Sequence, residues 1–476
     1  MTPSTKYDCL IVGAGVTGLA LLYELARFTD LKRLGLLEKC DGAAQVNSHA
    51  QHNSQTIHCG DIETNYSLEK AGAVRRTASM VVNYASALPA RERDRILFTM
   101  PKMVLGVGPQ ECAYIRRRYE VFKDLYPRMR LLERRAIADL EPNVALIDGT
   151  WRREEILATG TPDDYSAVDF AALAQSFSHA CVRLDRTTDR QITQLFSTTV
   201  GRIHRAGPDY VLETNRGLLQ ARSVVVCAGG HSLLMAQQLG LGHDCACLPM
   251  AGSFYFAPEA LNGKVYTVQN PRLPFAAVHG DHDIKERGKT RFGPTALMLP
   301  LLERRNRETV KEFFEVLRLD HQVLPTLRHL LRVPDLRHHL LRNVLSEVPG
   351  LNRRLFVREI RKIVPSLTAA DITYAEGFGG VRPLLIDRAA GTLHLGEAKI
   401  TNGDGIIFNL VPSPGGTSCL GNAETDMRTL ACHLGAHIDE DAFARGLLMG
   451  YEDTRGDSDG AAVAQEEEQR ALARAV

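Results

Sequence analysis

The run from Asp8 to Glu38 constrains this chain more than any other feature. Asp8-Cys9-Leu10-Ile11-Val12 reads as a short apolar strand, and Gly13-Ala14-Gly15-Val16-Thr17-Gly18 follows at once. An apolar helical pattern continues through Leu19, Leu22, Leu25 and Ala26. A second strand, Leu34 to Leu37, ends at Glu38, 20 residues past Gly18. A lone G-x-G-x-x-G is weak, but strand, glycines, helix, strand and terminal acid within about 30 residues define a dinucleotide-binding unit. Gly13 permits the tight turn, Gly15 lets the backbone approach a pyrophosphate, and Gly18 lets the helix pack on the strand. The helix start at Val16 and Thr17 favours the anion. Glu38 accepts the ribose hydroxyls, with Lys39 at the same nucleotide end.

An enzyme that binds both FAD and a nicotinamide carries two such fingerprints. No second one is found: Gly106-Val107-Gly108 lacks the third glycine, and Gly377-Phe378-Gly379-Gly380 runs into Arg382-Pro383 within two residues. One fingerprint favours a tightly held FAD.

Size and charge bound the rest. The chain has 476 residues, 44% hydrophobic and 24% charged. These values fit a globular protein of two or three domains and exclude disordered, collagenous and disulfide-scaffold classes. A net charge of +1 argues against nucleic acid as a partner. The ten cysteines are scattered, with Cys245 and Cys247 the one close pair, so reduced, buried thiols in a cytoplasmic setting are expected. The uncharged run Cys9 to Tyr23 is too short and too glycine-rich for a membrane span. No metal-ligand cluster, Walker loop or Ser-His-Asp order is present.

Beyond Glu38, His52-Asn53-Ser54-Gln55-Thr56-Ile57-His58 runs on to Tyr66. This stretch resembles the FAD segment of the amino-acid oxidase-like flavoproteins. Within that group it looks like the short malate:quinone oxidoreductases, with the L-2-hydroxyglutarate oxidases as close relatives. PFAAVH at 274–279, KTRFGPTA at 289–296, the stretch 357–383 and NLVPSPGGT at 409–417 are similar to segments of the same group. The resemblance covers about residues 6–450. It implies an α/β fold: a Rossmann-like FAD-binding domain of the glutathione reductase/amino-acid oxidase type with an interleaved α+β substrate domain. The FAD domain is expected in three pieces, 1–85, 155–245 and 375–450, and the substrate domain at 86–154 and 246–374. Residues 451–476 read as a loose tail. The resemblance places Asn53, Ser54, Gln55, Thr56, Val200, Ala228, Gly229, Gly380, Arg382, Pro414, Gly415, Gly416 and Thr417 on the FAD.

Residues 86–150 read as helical and basic, and 303–362 as a basic helical region. From Leu301 to Pro365 there are 14 Lys/Arg against 8 Asp/Glu. Leu324, Leu327 and Leu331 sit at helical spacing, which suits either a helix covering the substrate sheet or a membrane-surface helix. A quinone acceptor favours the second, peripheral to the cytoplasmic face of an inner membrane.

The activity implied by the resemblance is oxidation of (S)-malate to oxaloacetate with electrons passed to a quinone. The alternatives are an L-2-hydroxyglutarate oxidase, an amino-acid oxidase, or a catalytically idle flavin-binding scaffold. Oxidising a 2-hydroxy acid needs a base for the hydroxyl proton and cations for the carboxylate. Histidine suits the base. His279 is the expected base, with His58 or His52 as second choice for a polarising or flavin-positioning role. Relatives include covalent histidyl flavins, for which His58 is the available position, but a non-covalent FAD is expected. Guanidinium suits the clamp. Arg382, in Gly379-Gly380-Val381-Arg382-Pro383, matches the family's carboxylate arginine, and Arg291 is the second candidate.

Overall fold

The first strand fixes the architecture. β1 (Lys6–Val12) is buried along nearly its whole length, as a central parallel strand covered on both faces must be. It pairs in parallel with β2 (Arg33–Leu37) on one side and with Gly217–Val226 on the other. Gln191–Leu195 extends the sheet beyond β2, and Ile406–Leu410 joins Gly217–Val226 in parallel. Asp209–Thr214 and Val200–Ala206 extend it as an antiparallel meander, and Ala398–Thr401 pairs antiparallel with Ile406–Leu410. α1 (Val16–Phe28) covers one face together with helices Phe170–Thr187 and Cys419–Leu434, through a core containing Leu19, Leu22, Phe177 and Leu430. The computed structural model describes residues 6–269, 278–295, 297–318, 323–325, 352–390, 392–394, 398–411 and 414–450.

A second eight-stranded sheet contains Lys102–Val107, Ile156–Thr161, Tyr255–Pro258, Lys264–Thr267, His279–His282 and Lys289–Gly293. Helix Asn352–Ile363 packs on it through Phe356, Ile360 and Ile363. A smaller four-stranded sheet is built on the antiparallel pair Cys245–Ala251 and Val381–Asp387. All ten cysteines are free thiols.

Three expectations change. Residues 86–150 are mixed rather than helical: the apolar run Lys102–Val107 is a strand of the second sheet, and Arg130–Glu133 another. The piece expected to start at 155 gives its first strand, Ile156–Thr161, to the second sheet, where it pairs with Lys102–Val107. The piece expected from 375 gives Val381–Asp387 to the small sheet before Ile406–Leu410 reaches the nucleotide sheet. Half of the basic region 303–362, with Leu327 and Leu331, lies outside the described residues, as does the tail 451–476. Leu324 is described and exposed.

Candidate active site

The carboxyl ends of β1, β2 and Gly217–Val226 open on one crevice, where ligands bind in open α/β sheets. The turn after β1 is tight. Gly13 has φ +109°, and a Cβ there would lie 2.5 Å from the Cys227 carbonyl oxygen. A Cβ at Gly18 would lie 2.0 Å from the Gly13 oxygen. Only glycine permits this approach of helix and strand.

A cavity of about 530 Å³ lies over the turn, lined by Gly13, Gly15, Val16, Thr17, Glu38 and Lys39, with Val200, Ala228 and Gly229 opposite. Glu38 Oε2 accepts the Ala14 N–H at 2.7 Å and Oε1 the Cys40 N–H at 2.9 Å, so the carboxylate is fixed and keeps lone pairs for hydroxyl donors. A second chamber of about 160 Å³ adjoins it and shares Val16, Thr17, Asn47, Ser48 and Gly229. A long ligand crossing both would pass the N-terminus of α1 midway, with Glu38 at one end. This arrangement fits FAD: an acid for the ribose, a helix start for the pyrophosphate, and a separate chamber for the ring system.

The second chamber brings together His52, Asn53, Ser54, Thr56, His58, Gly380, Arg382, Pro414, Gly415, Gly416 and Thr417. Pro414–Thr417 leads into helix Cys419–Leu434, so the glycine-rich turn and a helix start face the chamber. The half-buried Arg382 has no carboxylate partner among the described residues. Desolvation lowers its pKa, against the opposing charge of Tyr266. Asp387, on the same strand, instead accepts the Ala390 N–H.

His58 Nδ1 lies 2.5 Å from Glu63 Oε1, and its Nε2 lies 3.4 Å from Ser54 Oγ. Burial pushes the Glu63 carboxyl up, but the hydrogen bond and charge of His58 outweigh it and hold Glu63 below the usual carboxylate range. His52 is tied differently. Its Nδ1 is 2.5 Å from the Val46 carbonyl, and Arg305 donates to its Nε2 at 2.6 Å. Burial lowers its pKa, with Arg305 adding to the effect and Val46 opposing it, and both ring nitrogens are engaged.

Four expected residues do not line either chamber. Gly18 and Gln55 serve the wall. Gly18 packs the helix, and Gln55 donates to the Ala50 carbonyl and accepts from the Ile284 N–H. His279 is buried behind the chamber. It stacks on Tyr266 with centroids 4.3 Å apart, and its Nε2 is 3.2 Å from Asp281 Oδ2. Burial lowers its pKa, with Asp281 opposing. Arg291, also fully buried, lies 3.3 Å from Asp283 and 4.0 Å from Asp281. Phe254, which does line the chamber, lies under its guanidinium at 4.6 Å. Within this network Lys264 reaches Asp281 at 3.2 Å and donates to the Ser54 carbonyl.

Sequence reasoning missed Asn47 and Ser48, an Asn-Ser pair six residues upstream of Asn53-Ser54. Ser48 Oγ accepts the Val16 N–H at 2.9 Å, and Asn47 Oδ1 accepts the Val381 N–H at 3.2 Å. It also missed Glu63, for which the i, i+5 spacing from His58 gives no helical or strand signal. Leu302, Glu303, Asn306 and Thr309, from beyond the nucleotide sheet, close the first cavity.

The model of the FAD-dependent oxidoreductase family matches residues 8–424. A Campylobacter jejuni protein named "Probable malate:quinone oxidoreductase" is 46% identical over 93% of this chain and 99% of its own length. The chain belongs to the malate:quinone oxidoreductase family. A second member, the malate:quinone oxidoreductase of Helicobacter pylori, is 42% identical over 93% of this chain and 98% of its own. Among solved structures, FAD-bound L-α-glycerophosphate oxidase from Mycoplasma pneumoniae superposes with a TM-score of 0.60 at 19% identity, over 90% of this chain and 95% of that one. That likeness speaks for the fold. Family membership makes FAD the cofactor of this oxidoreductase, in agreement with the two chambers.

Proposed function

We propose that this protein oxidises (S)-malate to oxaloacetate and delivers the electrons to a quinone at a membrane surface. The observation that carries the reading is Arg382. It is a cation without a carboxylate partner among the described residues, and it opens on the same chamber as a histidine oriented by a buried glutamate. Bound FAD supplies the acceptor for the two electrons. The remaining requirements fall to side chains. Arg382 holds the substrate carboxylate through paired N–H donors. His58 takes the hydroxyl proton at Nε2, while Glu63 accepts from Nδ1, fixes the tautomer and stabilises the imidazolium. The base role thus passes from His279, stacked behind Tyr266, to His58. His52 positions the chamber wall. Malate rather than 2-hydroxyglutarate follows from the similarity to the Campylobacter and Helicobacter proteins.

No helix among the described residues is long and apolar enough to cross a membrane. The local basic excess between residues 301 and 365 supports docking on an anionic bilayer at the cytoplasmic face of an inner membrane. Sedimentation with anionic liposomes should then be lost at high salt. Equal binding to neutral vesicles would overturn the electrostatic account.

The purified protein should be yellow, and anaerobic malate should bleach the flavin band. Bleaching by L-2-hydroxyglutarate but not malate would replace the substrate. Bleaching by no hydroxy or amino acid would leave an idle flavin-binding protein.

A further inference from the structure

A third cavity, of about 400 Å³, lies apart from the two FAD chambers. Helix Leu68–Ser86, the strands Lys102–Val107 and Ile156–Thr161, and the turn 126–129 enclose it. We propose that this cavity seats the ring of the quinone acceptor, an inference that rests on the malate:quinone reading above.

Its lining has the two characters a quinone needs. Ala78, Val82, Tyr126, Met129 and Tyr165 give apolar faces for a flat ring. At the wall, Lys102 and Asp61 form a buried ion pair at 2.8 Å. Asp61 Oδ1 and Thr161 Oγ1 are buried and have no hydrogen-bond partner among the described residues. Buried polar atoms are normally paired, so two orphans on one cavity point to a ligand that meets them. A quinone offers two carbonyl acceptors, suited to the Thr161 hydroxyl and the remaining N–H groups of Lys102. A quinol offers hydroxyl donors, suited to the bare Asp61 oxygen. Both redox states are therefore accommodated.

The cavity is also next to the redox centre. Cys59 forms part of its wall, and the preceding residue, His58, lines the second FAD chamber. Consecutive Cα atoms are about 3.8 Å apart, so at this point the partition is one chain thick. It is held rigidly. Tyr126 Oη donates to the Cys59 carbonyl at 2.7 Å, and Arg118 donates to the Gly60 and Glu63 carbonyls at 3.1 and 2.9 Å. Pro127 and Arg128 are exposed at the rim, where the tail of a membrane quinone can leave. The chemistry balances. Malate loses two electrons and two protons as its carbinol C–H and O–H bonds break. The quinone gains two electrons, through FAD, and two protons as an O–H bond forms at each oxygen.

The test uses FAD-loaded full-length protein with Ser79→Phe, which narrows the cavity, and Thr161→Val, which removes the donor at nearly constant volume. Equilibrium dialysis of the oxidised protein with a short-chain benzoquinone, without any hydroxy acid, should show at least tenfold weaker binding in both variants. Reoxidation of the reduced enzyme by that quinone should slow to match. Flavin bleaching by malate and reoxidation by ferricyanide, which needs no pocket, should stay within twofold. Quinone binding and reoxidation within twofold of the parent in both FAD-loaded variants would overturn the site. Lost quinone binding in a protein that malate does not bleach would uphold the site and reject the malate reading instead.

Discussion

Replacing Arg382 separates a substrate clamp from a structural cation. Its guanidinium sits on the strand Val381–Asp387, opens on the flavin chamber, and meets no carboxylate among the described residues. A bidentate guanidinium–carboxylate pair makes two charge-assisted hydrogen bonds, each worth about 1.5–3 kcal/mol. Arg382→Lys keeps the charge and one bond, so it should weaken malate binding by about 1.5–3 kcal/mol, roughly 10- to 150-fold. Arg382→Met loses both bonds, about 3–6 kcal/mol. The assay is anaerobic stopped-flow bleaching of the flavin, with malate Kd taken from the dependence of rate on concentration. A second arm measures stability. An unmatched, partly buried cation costs desolvation, so Arg382→Met should leave Tm unchanged or higher. A non-reacting dicarboxylate should raise the Tm of the parent and not of Arg382→Met, by linkage. A malate Kd within twofold of the parent in FAD-loaded Arg382→Lys would refute the clamp. A fall of several degrees in the Tm of Arg382→Met would make the residue part of the scaffold.

Arg291→Met should do the reverse. It leaves Asp281 and Asp283 buried beside a lost charge and should cost about 3–5 kcal/mol in urea unfolding; an unchanged midpoint would contradict the network. His58→Gln should slow flavin reduction at saturating malate by about 10²- to 10⁴-fold with little change in Kd, and an unaltered rate would return the base role to His279. Glu141 tests pH linkage. Burial raises its pKa to about 7, against hydrogen bonds from the Asn262 and Gly263 N–H groups. An unfolded Glu titrates near pH 4.3, so between the two values the folded state holds more protons. Stability from this group is therefore full at low pH and lost as pH rises through about 7, by at most about 1.4 kcal/mol per pH unit. Glu141→Gln should flatten that slope in thermal melts from pH 5 to 8; parallel slopes would refute it.

The nucleotide end was legible because its signals are local. A strand, a turn that only glycine permits, a helix and an acid follow within one unit, and each cause acts between neighbours in the chain. The placement of Arg382 on the chamber is legible for a related reason, since the resemblance covers a short contiguous run, Gly379 to Pro383. His279 shows where such reasoning stops. His279 itself lies behind the chamber wall, and nothing in the sequence of Pro274–His279 says which side of that wall its ring occupies. That is decided by Tyr266, opposite it on the neighbouring strand, and by Asp281, two residues on and therefore on the same face. Lys264 and Arg291 come from strands on either side. Sheet register, not sequence spacing, assembles that cluster. The strand Lys102–Val107 was missed for a parallel reason: its short apolar run sits among arginine-rich helices, and its partner Ile156–Thr161 lies about fifty residues away.

Three of the buried cations near the chambers are already paired with carboxylates, and Arg382, among the described residues, is not. Lys102 has Asp61, Lys264 has Asp281, and Arg291 has Asp281 and Asp283. In each case a cation withdrawn from water has its counter-charge supplied by the chain, which is the condition for tolerating it there. Such a pair has little attraction left over for a substrate anion, which argues against Arg291 as the clamp despite its position behind Phe254. Arg382 lacks that compensation within the described chain and faces open space shared with His58. The charge that would balance it has to arrive with a ligand. On the proposed reading, a carboxylate at Arg382 with a neighbouring hydroxyl turned toward His58 would meet both demands at once, which a neutral alcohol would not.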